Sequence, residues 1–277
     1  MKGNEYGISY HRLTGPNVVK DDTPNGGGST TPRFIVMHYT AGDDAEDAIQ
    51  TFKTPSAKVS AHLVIGRDGT VTNMKAFNVK TWHAGPSKYA GYSGLNGFSI
   101  GIEIVNLGFL RKAGPGKYET WAGTVVSLAD SEVMLCRYPK AGSGDLYWQK
   151  YTDAQLKALD KIVPLLVSKY PIQDIVGHED IDTRGWKVDP GPAFPMMRYK
   201  QFLDDRSADV QDQSETRGEV TARSLNVRTG PSIPSAVAGS RRSGDKVTIV
   251  SQNREWYEII LSKDATGWVH SDFVRKL

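Results

Sequence analysis

Apolar and polar positions alternate along much of the first two hundred residues in two distinct rhythms. "FIVMHYT" (34–40) and "FSIGIEIVNLG" (98–108) carry the dense apolar runs of buried strands, and "AHLVIGRDGTVTNM" (61–74) reads as strand, glycine-containing turn and strand. "DDAEDAIQTFKT" (43–54) has helical spacing, with Asp43 or Asp44 placed to cap it. The longest helix is predicted over "YTDAQLKALDKIVPLLVSKYP" (151–171), where Thr152 and Gln155 form a capping box and Leu156, Leu159 and Val163 share one face. Pro164 lies inside it and predicts a kink. "QDIVGH" (173–178) reads as a short strand ending in its histidine. Strands and helices mixed in this way predict an α/β or α+β domain, of which α/β with a mixed central sheet flanked by helices is the fold class expected.

Residues 109–150 have glycine, proline and scattered aromatics without a clear period, and read as a long inserted loop region. "ADVQDQSETRGE" (208–219) is polar and aperiodic, the signature of a linker. Beyond it, "EVTARSLNVRTGPS", "DKVTIVSQ", "WYEIIL" and "GWVHSDFVRKL" are short alternating segments separated by turn residues. They predict a small all-β barrel. The expected organisation is a main domain over 1–207, a linker over 208–219 and a barrel over 220–277.

A net charge of +3 is too small to argue for nucleic acid as a partner. Its distribution is uneven: from Arg217 onward ten Lys/Arg face six Asp/Glu, giving that tail +4 and the rest −1. A basic module of this kind fits an anionic surface or simply a soluble face. The single cysteine, Cys136, excludes an intrachain disulfide and a cysteine-rich zinc cluster. No run is apolar enough for a signal peptide or a membrane span. The chain therefore reads as soluble with no visible export route, leaving a cytoplasmic location, release by another agent, or a leader already removed.

The chemistry gathers in a few places. His38 closes the strand "FIVMH" on the face of Phe34 and Val36, and the carboxyl end of such a strand is where α/β sheets bind ligands. His178 ends "DIVGH", and Asp189 follows eleven positions later in "DPGP", a turn fixed by its two prolines. Two imidazoles and a carboxylate are a donor set zinc takes when it keeps a fourth position open for water. Each piece has a blander reading, as a core histidine or an ordinary turn. Glu103 opposes the face of Ile100, Ile102 and Ile104, a carboxylate in an apolar strand that is costly unless paired or functional. It is placed to accept a proton from water, and Lys187, two residues before Asp189, to neutralise an oxyanion.

"RFIVMHYTAG", "AHLVIGRDGTV", "WHAG", "IGIEIVN" and "VGHEDIDTRGWKVDPGPAFP", in this order over about residues 30–200, resemble the zinc-dependent N-acetylmuramoyl-L-alanine amidases of the type-2 family, relatives of the peptidoglycan-recognition proteins. The resemblance implies one Zn2+ held by His38, His178 and Asp189, water activation by Glu103 and transition-state stabilisation by Lys187. It gives His83 of "WHAG" a place near the metal and a contact with substrate, and leaves His62 a structural core histidine. The bond implied is the amide joining the lactyl group of N-acetylmuramic acid to L-alanine. "LNVRTGPS", "WYEI" and "GWVHSDFV" resemble the bacterial SH3-like wall-binding module, with Trp256 and Trp268 expected in its core. The implied partner is peptidoglycan or muropeptides, as in cell-wall lysis by a phage or prophage endolysin. Two alternatives stay open: a non-catalytic muropeptide-binding protein of the same fold, and a zinc hydrolase acting on another amide.

Overall fold

The computed structural model describes residues 5–203, 216–253, 255–262 and 265–277. The chain divides into two compact units, Met1–Arg206 and Ser207–Leu277. The first unit is built on a six-stranded mixed sheet: β1 (Val18–Lys20), β2 (Phe34–Tyr39), β3 (Leu63–Ile65), β4 (Val71–Asn73), β5 (Ser99–Ile104) and β6 (Asp174–Gly177). Their spatial order is β6-β2-β5-β3-β4-β1. β3 and β4 form an antiparallel hairpin, whereas the other neighbouring pairs run parallel.

A parallel sheet covered on both faces needs strands that are apolar throughout, which is why β2 and β5 show runs rather than clean alternation. On one face Ile35, Met37, Ile100, Ile102, Ile104 and Ile175 pack against the long helix α2 (Asp153–Lys169). That helix presents Gln155, Ala158, Leu159, Ile162, Val163, Leu166 and Val167 at three- and four-residue spacing, while Leu156 is only half-buried. Thr152 and Gln155 make the predicted capping box, and the buried Gln155 amide also donates to the Val105 carbonyl at 2.7 Å. The helix continues as one element through Pro164. On the other face Phe34, Val36 and Val176 pack with Ala84, Leu95 and Ile181. α1 (Ala45–Lys53) is capped by Asp44, whose carboxylate accepts from the Glu46 N–H, and it buries Ile49 and Phe52 in a satellite cluster.

Residues 109–149 are not a loop region. They form a five-stranded antiparallel sheet in the order Val125–Ser127, Lys117–Thr120, Phe109–Gly114, Asp145–Gln149, Val133–Arg137. The alternation is disguised because charged residues stand at sheet positions: Lys112 lays its ammonium 4.1 Å over the ring of buried Tyr118. The sheet core is correspondingly small, centred on Leu107, Leu110, Tyr118 and Val133. The insertion is fastened to the body by Tyr138, which donates to Glu179 at 2.6 Å, by a Lys140–Asp180 ion pair at 2.9 Å, and by Trp148, buried against Gly191.

Among the described residues the second unit has seven antiparallel strands around an apolar core of Val220, Leu225, Val227, Val247, Ile249, Ile259, Val269 and Val274. Trp256 is buried beside the His270 ring and Trp268 is half-buried. Of the expected linker, 208–215 lie outside the described residues. Residues 216–219 belong to the strand Thr216–Val220, which is held by pairing to both Lys246–Ile249 and Val274–Lys276. Among the described residues no helix is long and apolar enough to cross a membrane.

Gly191 has φ +74°, and a Cβ there would lie 2.5 Å from the Trp148 ring. Gly191→Ala is expected to destabilise the first unit by about 2–4 kcal/mol, the combined cost of a left-handed alanine and an overpacked ring. Urea unfolding of the variant against wild type measures this.

Candidate metal centre

The sheet register assembles the site. β6 pairs with β2 so that Gly177 lies level with Met37, and β5 pairs with β2 so that Glu103 lies level with His38. His178, His38 and Glu103 therefore meet at the carboxyl ends of three adjacent parallel strands. His178 does not end its strand but opens a one-turn helix, α3 (His178–Ile181). The Gly177 N–H donates to the Asp180 carboxylate at 2.9 Å, which closes the turn locally. Asp189 reaches the same point from its proline-bounded turn. Its carbonyl accepts from the Glu179 N–H at 3.0 Å, and the Tyr151 hydroxyl donates to the next carbonyl, that of Pro190, at 2.8 Å.

Three atoms converge. His38 Nδ1 lies 3.1 Å from His178 Nδ1 and 3.0 Å from Asp189 Oδ2, and His178 Nδ1 lies 3.1 Å from the same oxygen. All three residues are buried. Burial, opposed by the neighbouring Asp189 carboxylate, pushes the His38 pKa down to about 4, so its imidazole is neutral near pH 7. Burial works against ionisation of Asp189, yet the two histidines beside it hold the carboxyl below its ordinary range.

A hydrogen-bond relay fixes which His38 nitrogen carries the proton. Ser99 donates to the Leu95 carbonyl at 2.5 Å, so its oxygen accepts from His83 Nε2 at 3.1 Å. His83 Nδ1 is then the acceptor toward His38 Nε2, 3.0 Å away. The proton of a neutral His38 is accordingly on Nε2, and its Nδ1 lone pair faces the Asp189 carboxylate. Lone pair against lone pair at 3.0 Å is repulsive; a cation shared among the three atoms makes it attractive. Donor atoms about 3.3 Å apart are what bonds of about 2.0–2.1 Å require in a tetrahedron, and the observed triangle is close to that size. The residues fit a metal ion, and these three form a group that could hold one.

His83, expected to touch substrate, uses both ring nitrogens inward. Its backbone N–H and that of Ala84 donate to Asn96 Oδ1, and its ring sits where a Cβ on Gly101 would come within 2.4 Å. Only glycine at 101 leaves room for it. His62 is the satisfied core histidine expected: Nε2 donates to the Val79 carbonyl at 2.9 Å, while Nδ1 accepts from the Gly101 N–H at 3.0 Å and contacts the Thr81 hydroxyl at 3.0 Å.

Glu103 and Lys187 both line the cleft of about 700 Å³ onto which the triad opens. Burial, reinforced by Asp189 and opposed by Lys187, raises the Glu103 carboxyl well above its usual range. Its Oε2 is sealed and without a hydrogen-bond partner among the described residues. The sequence reading missed the relay partners Ser99 and Asn96 and the cleft rings Phe109, Trp121 and Trp186. Nothing in local spacing marks these, because they act through contacts between distant segments.

Residues 28–192 match the family model described as N-acetylmuramoyl-L-alanine amidase, and residues 223–275 match that of the bacterial SH3 domain. The chain is similar to the 1,6-anhydro-N-acetylmuramyl-L-alanine amidase AmpD of Salmonella typhimurium, 31% identical over 148 residues that make up 53% of this chain and 58% of that protein. AmpD of Escherichia coli is also 31% identical, over 53% of this chain and 59% of its own length. The Escherichia coli N-acetylmuramoyl-L-alanine amidase AmiD is 27% identical over 191 residues, 65% of this chain and 57% of that one. The chain thus spans somewhat over half the length of the curated relatives it matches.

His62→Ala removes a donor and an acceptor from a site with no solvent access, leaving Val79 and Gly101 unpaired. A loss of about 3 kcal/mol in unfolding free energy is expected, read by denaturant titration followed at a tryptophan signal.

Proposed function

The chain belongs to the N-acetylmuramoyl-L-alanine amidase family, and on that premise we propose that it hydrolyses the amide between the lactyl group of N-acetylmuramic acid and L-alanine, in peptidoglycan or in muropeptides. The cofactor of this reading is one Zn2+ held by His38, His178 and Asp189. The observation that carries it is the buried triangle of two imidazole nitrogens and one carboxylate oxygen, with edges of 3.0–3.1 Å, opening on a cleft that also holds Glu103 and Lys187.

A zinc ion in that triangle supplies a Lewis acid and lowers the pKa of water beside it. The chain's own groups do the rest. Glu103, with one oxygen sealed and its pKa raised, takes a proton from the attacking water and returns it to the departing alanine nitrogen. Lys187 presents a cation to the oxygen on which negative charge develops. Ser99, His83 and Asn96 hold His38 in the tautomer and orientation its ligand role requires. The reaction adds water across the amide and leaves a lactyl carboxylate and a free amino group on L-alanine.

The second unit is read as a wall-binding module that keeps the first on its polymer by raising local concentration. The setting that combines such a module with hydrolysis is the cell wall, reached as an endolysin or as an exported autolysin. The reading of a muropeptide binder that does not cut is disfavoured because all three ligands and the glutamate are present.

Metal analysis of purified chains tests the ligand set: His38→Ala, His178→Ala and Asp189→Ala are each expected to lose stoichiometric zinc, while His62→Ala keeps it. Ser99→Ala is expected to weaken zinc binding about tenfold through the relay. On wall zymograms and with soluble muropeptides, Glu103→Gln is expected to lower turnover by at least about 100-fold with zinc retained. Wild type that clears no wall and releases no peptide with N-terminal L-alanine would return the protein to the binding class.

A further inference from the structure

The cleft at the triad shares a wall, formed by Val59, Trp82, His83, His178, Trp186 and Lys187, with a second cavity of about 540 Å³. That cavity runs on to Lys58, Asn96 and Arg184, the last paired with Asp182 at 2.8 Å, and the charged side chains that line it are cations. The cleft itself, about 700 Å³, is lined also by Asp44 and Asp47 at α1 and by Phe109 and Trp121 from the inserted sheet, none of which lines the second cavity. Among the described residues that line it, Lys187 is the one lysine or arginine, and it stands at the shared wall. The linings that the two cavities do not share are therefore electrically unlike: one cationic, the other aromatic with carboxylates.

Trp121 is 60% exposed, yet it is not on a loose loop. Its turn is closed by Gly123 N–H to the Thr120 carbonyl at 3.0 Å, Thr120 N–H to the Thr124 carbonyl at 2.9 Å and Thr124 N–H to the Thr120 hydroxyl at 3.2 Å. Thr120 is itself buried in the inserted sheet. A large indole held open to solvent on a fixed turn, at the edge of a reactive cleft, is a prepared contact surface rather than leftover exposure.

Resting on the amidase reading, we propose that Trp121 is a specificity-determining residue for the saccharide side of the substrate: its indole face receives the apolar face of a pyranose ring, and Asp44 and Asp47 face that ring's hydroxyl groups. The C–H bonds on one face of a sugar present positive edges to the negative face of an aromatic ring, and carboxylates accept from hydroxyl donors without needing a cation. A stem peptide ends in a free carboxylate, which Asp44 and Asp47 repel and the Lys58 and Arg184 cavity attracts. The amide at the triad then lies between a sugar on the inserted-sheet side and a peptide on the cationic side. The insertion acts as the wall that reads the sugar.

Calorimetry on the full chain supplied with zinc separates the two ligands. The probes are N-acetylglucosaminyl-N-acetylmuramic acid without peptide, and the free tripeptide L-Ala-D-Glu-L-Lys. Trp121→Ala is expected to raise the disaccharide Kd about 5- to 10-fold, the size of one stacked aromatic contact, and to leave the tripeptide Kd unchanged. Trp121→Phe should regain most of the loss. The barrel is identical in all three chains, so a difference among them belongs to Trp121. Disaccharide binding that is absent in wild type, unchanged in Trp121→Ala, or weakened together with tripeptide binding overturns the assignment. Turnover of a muramyl tripeptide by wild type is measured alongside: its absence overturns the amidase reading, while the calorimetry, which needs no turnover, still decides the role of Trp121.

Discussion

The parallel pairing of β6, β2 and β5 is the constraint from which the site follows. With Gly177 level with Met37 and Glu103 level with His38, the chain brings three segments separated by more than sixty residues to one row at the carboxyl edge of the sheet. A one-residue slip of β5 would turn Glu103 toward α2 and put an isoleucine in the cleft. Ile100, Ile102 and Ile104 resist that slip, since all three are fully buried on the opposite face. The hydrophobic core and the reactive row are thus two faces of one register, and the apolar face fixes the polar one.

Placing two imidazoles and a carboxylate within about 3 Å of one another inside a desolvated pocket is unfavourable unless their protons and charges are arranged. Two devices do this. The chain from the Leu95 carbonyl through Ser99 and His83 assigns the His38 proton to Nε2, and Gly101 gives up its side chain so that the His83 ring can occupy the space. The second device, on the proposed reading, would be a cation held in the triangle, which would convert the convergence of lone pairs into bonding. On the proposed reading, in which Glu103 exchanges a proton, its sealed oxygen, unpartnered among the described residues, is an advantage, since low solvation raises its affinity for that proton.

Much of this was legible in the letters, and the unreadable parts share a cause. The strands β2 and β5, the capped helix α2 and the order of the motifs follow from local pattern, because local pattern is what apolar burial imposes on the chain. His38, Glu103 and Asp189 carry their own signals: a strand end, a misplaced charge and a rigid turn. The inserted sheet was hidden because Lys112 stands on the face of Leu110 and Tyr118, where alternation would put an apolar residue, and covers the Tyr118 ring with its ammonium. The relay through Ser99 and Asn96 was hidden for a different reason. A serine and an asparagine in a sequence point nowhere until tertiary contacts choose their partners.

The inserted sheet is fastened at the same places that position His178 and Asp189 of the triad. Tyr138 and Lys140 hold Glu179 and Asp180, the residues that follow His178 in α3, and Trp148 packs on Gly191, two residues after Asp189. Rings carried by the insertion and atoms carried by the sheet consequently belong to one frame, and displacement of either would disturb both. That matters for a reaction in which the scissile amide must sit within about 3–3.5 Å of its attacking group. A sugar contact made by a flexible loop would add affinity without fixing the amide. One made by Trp121, on a turn closed onto buried Thr120 in a sheet pinned beside the ligands, converts affinity for the sugar into position at the reacting carbon.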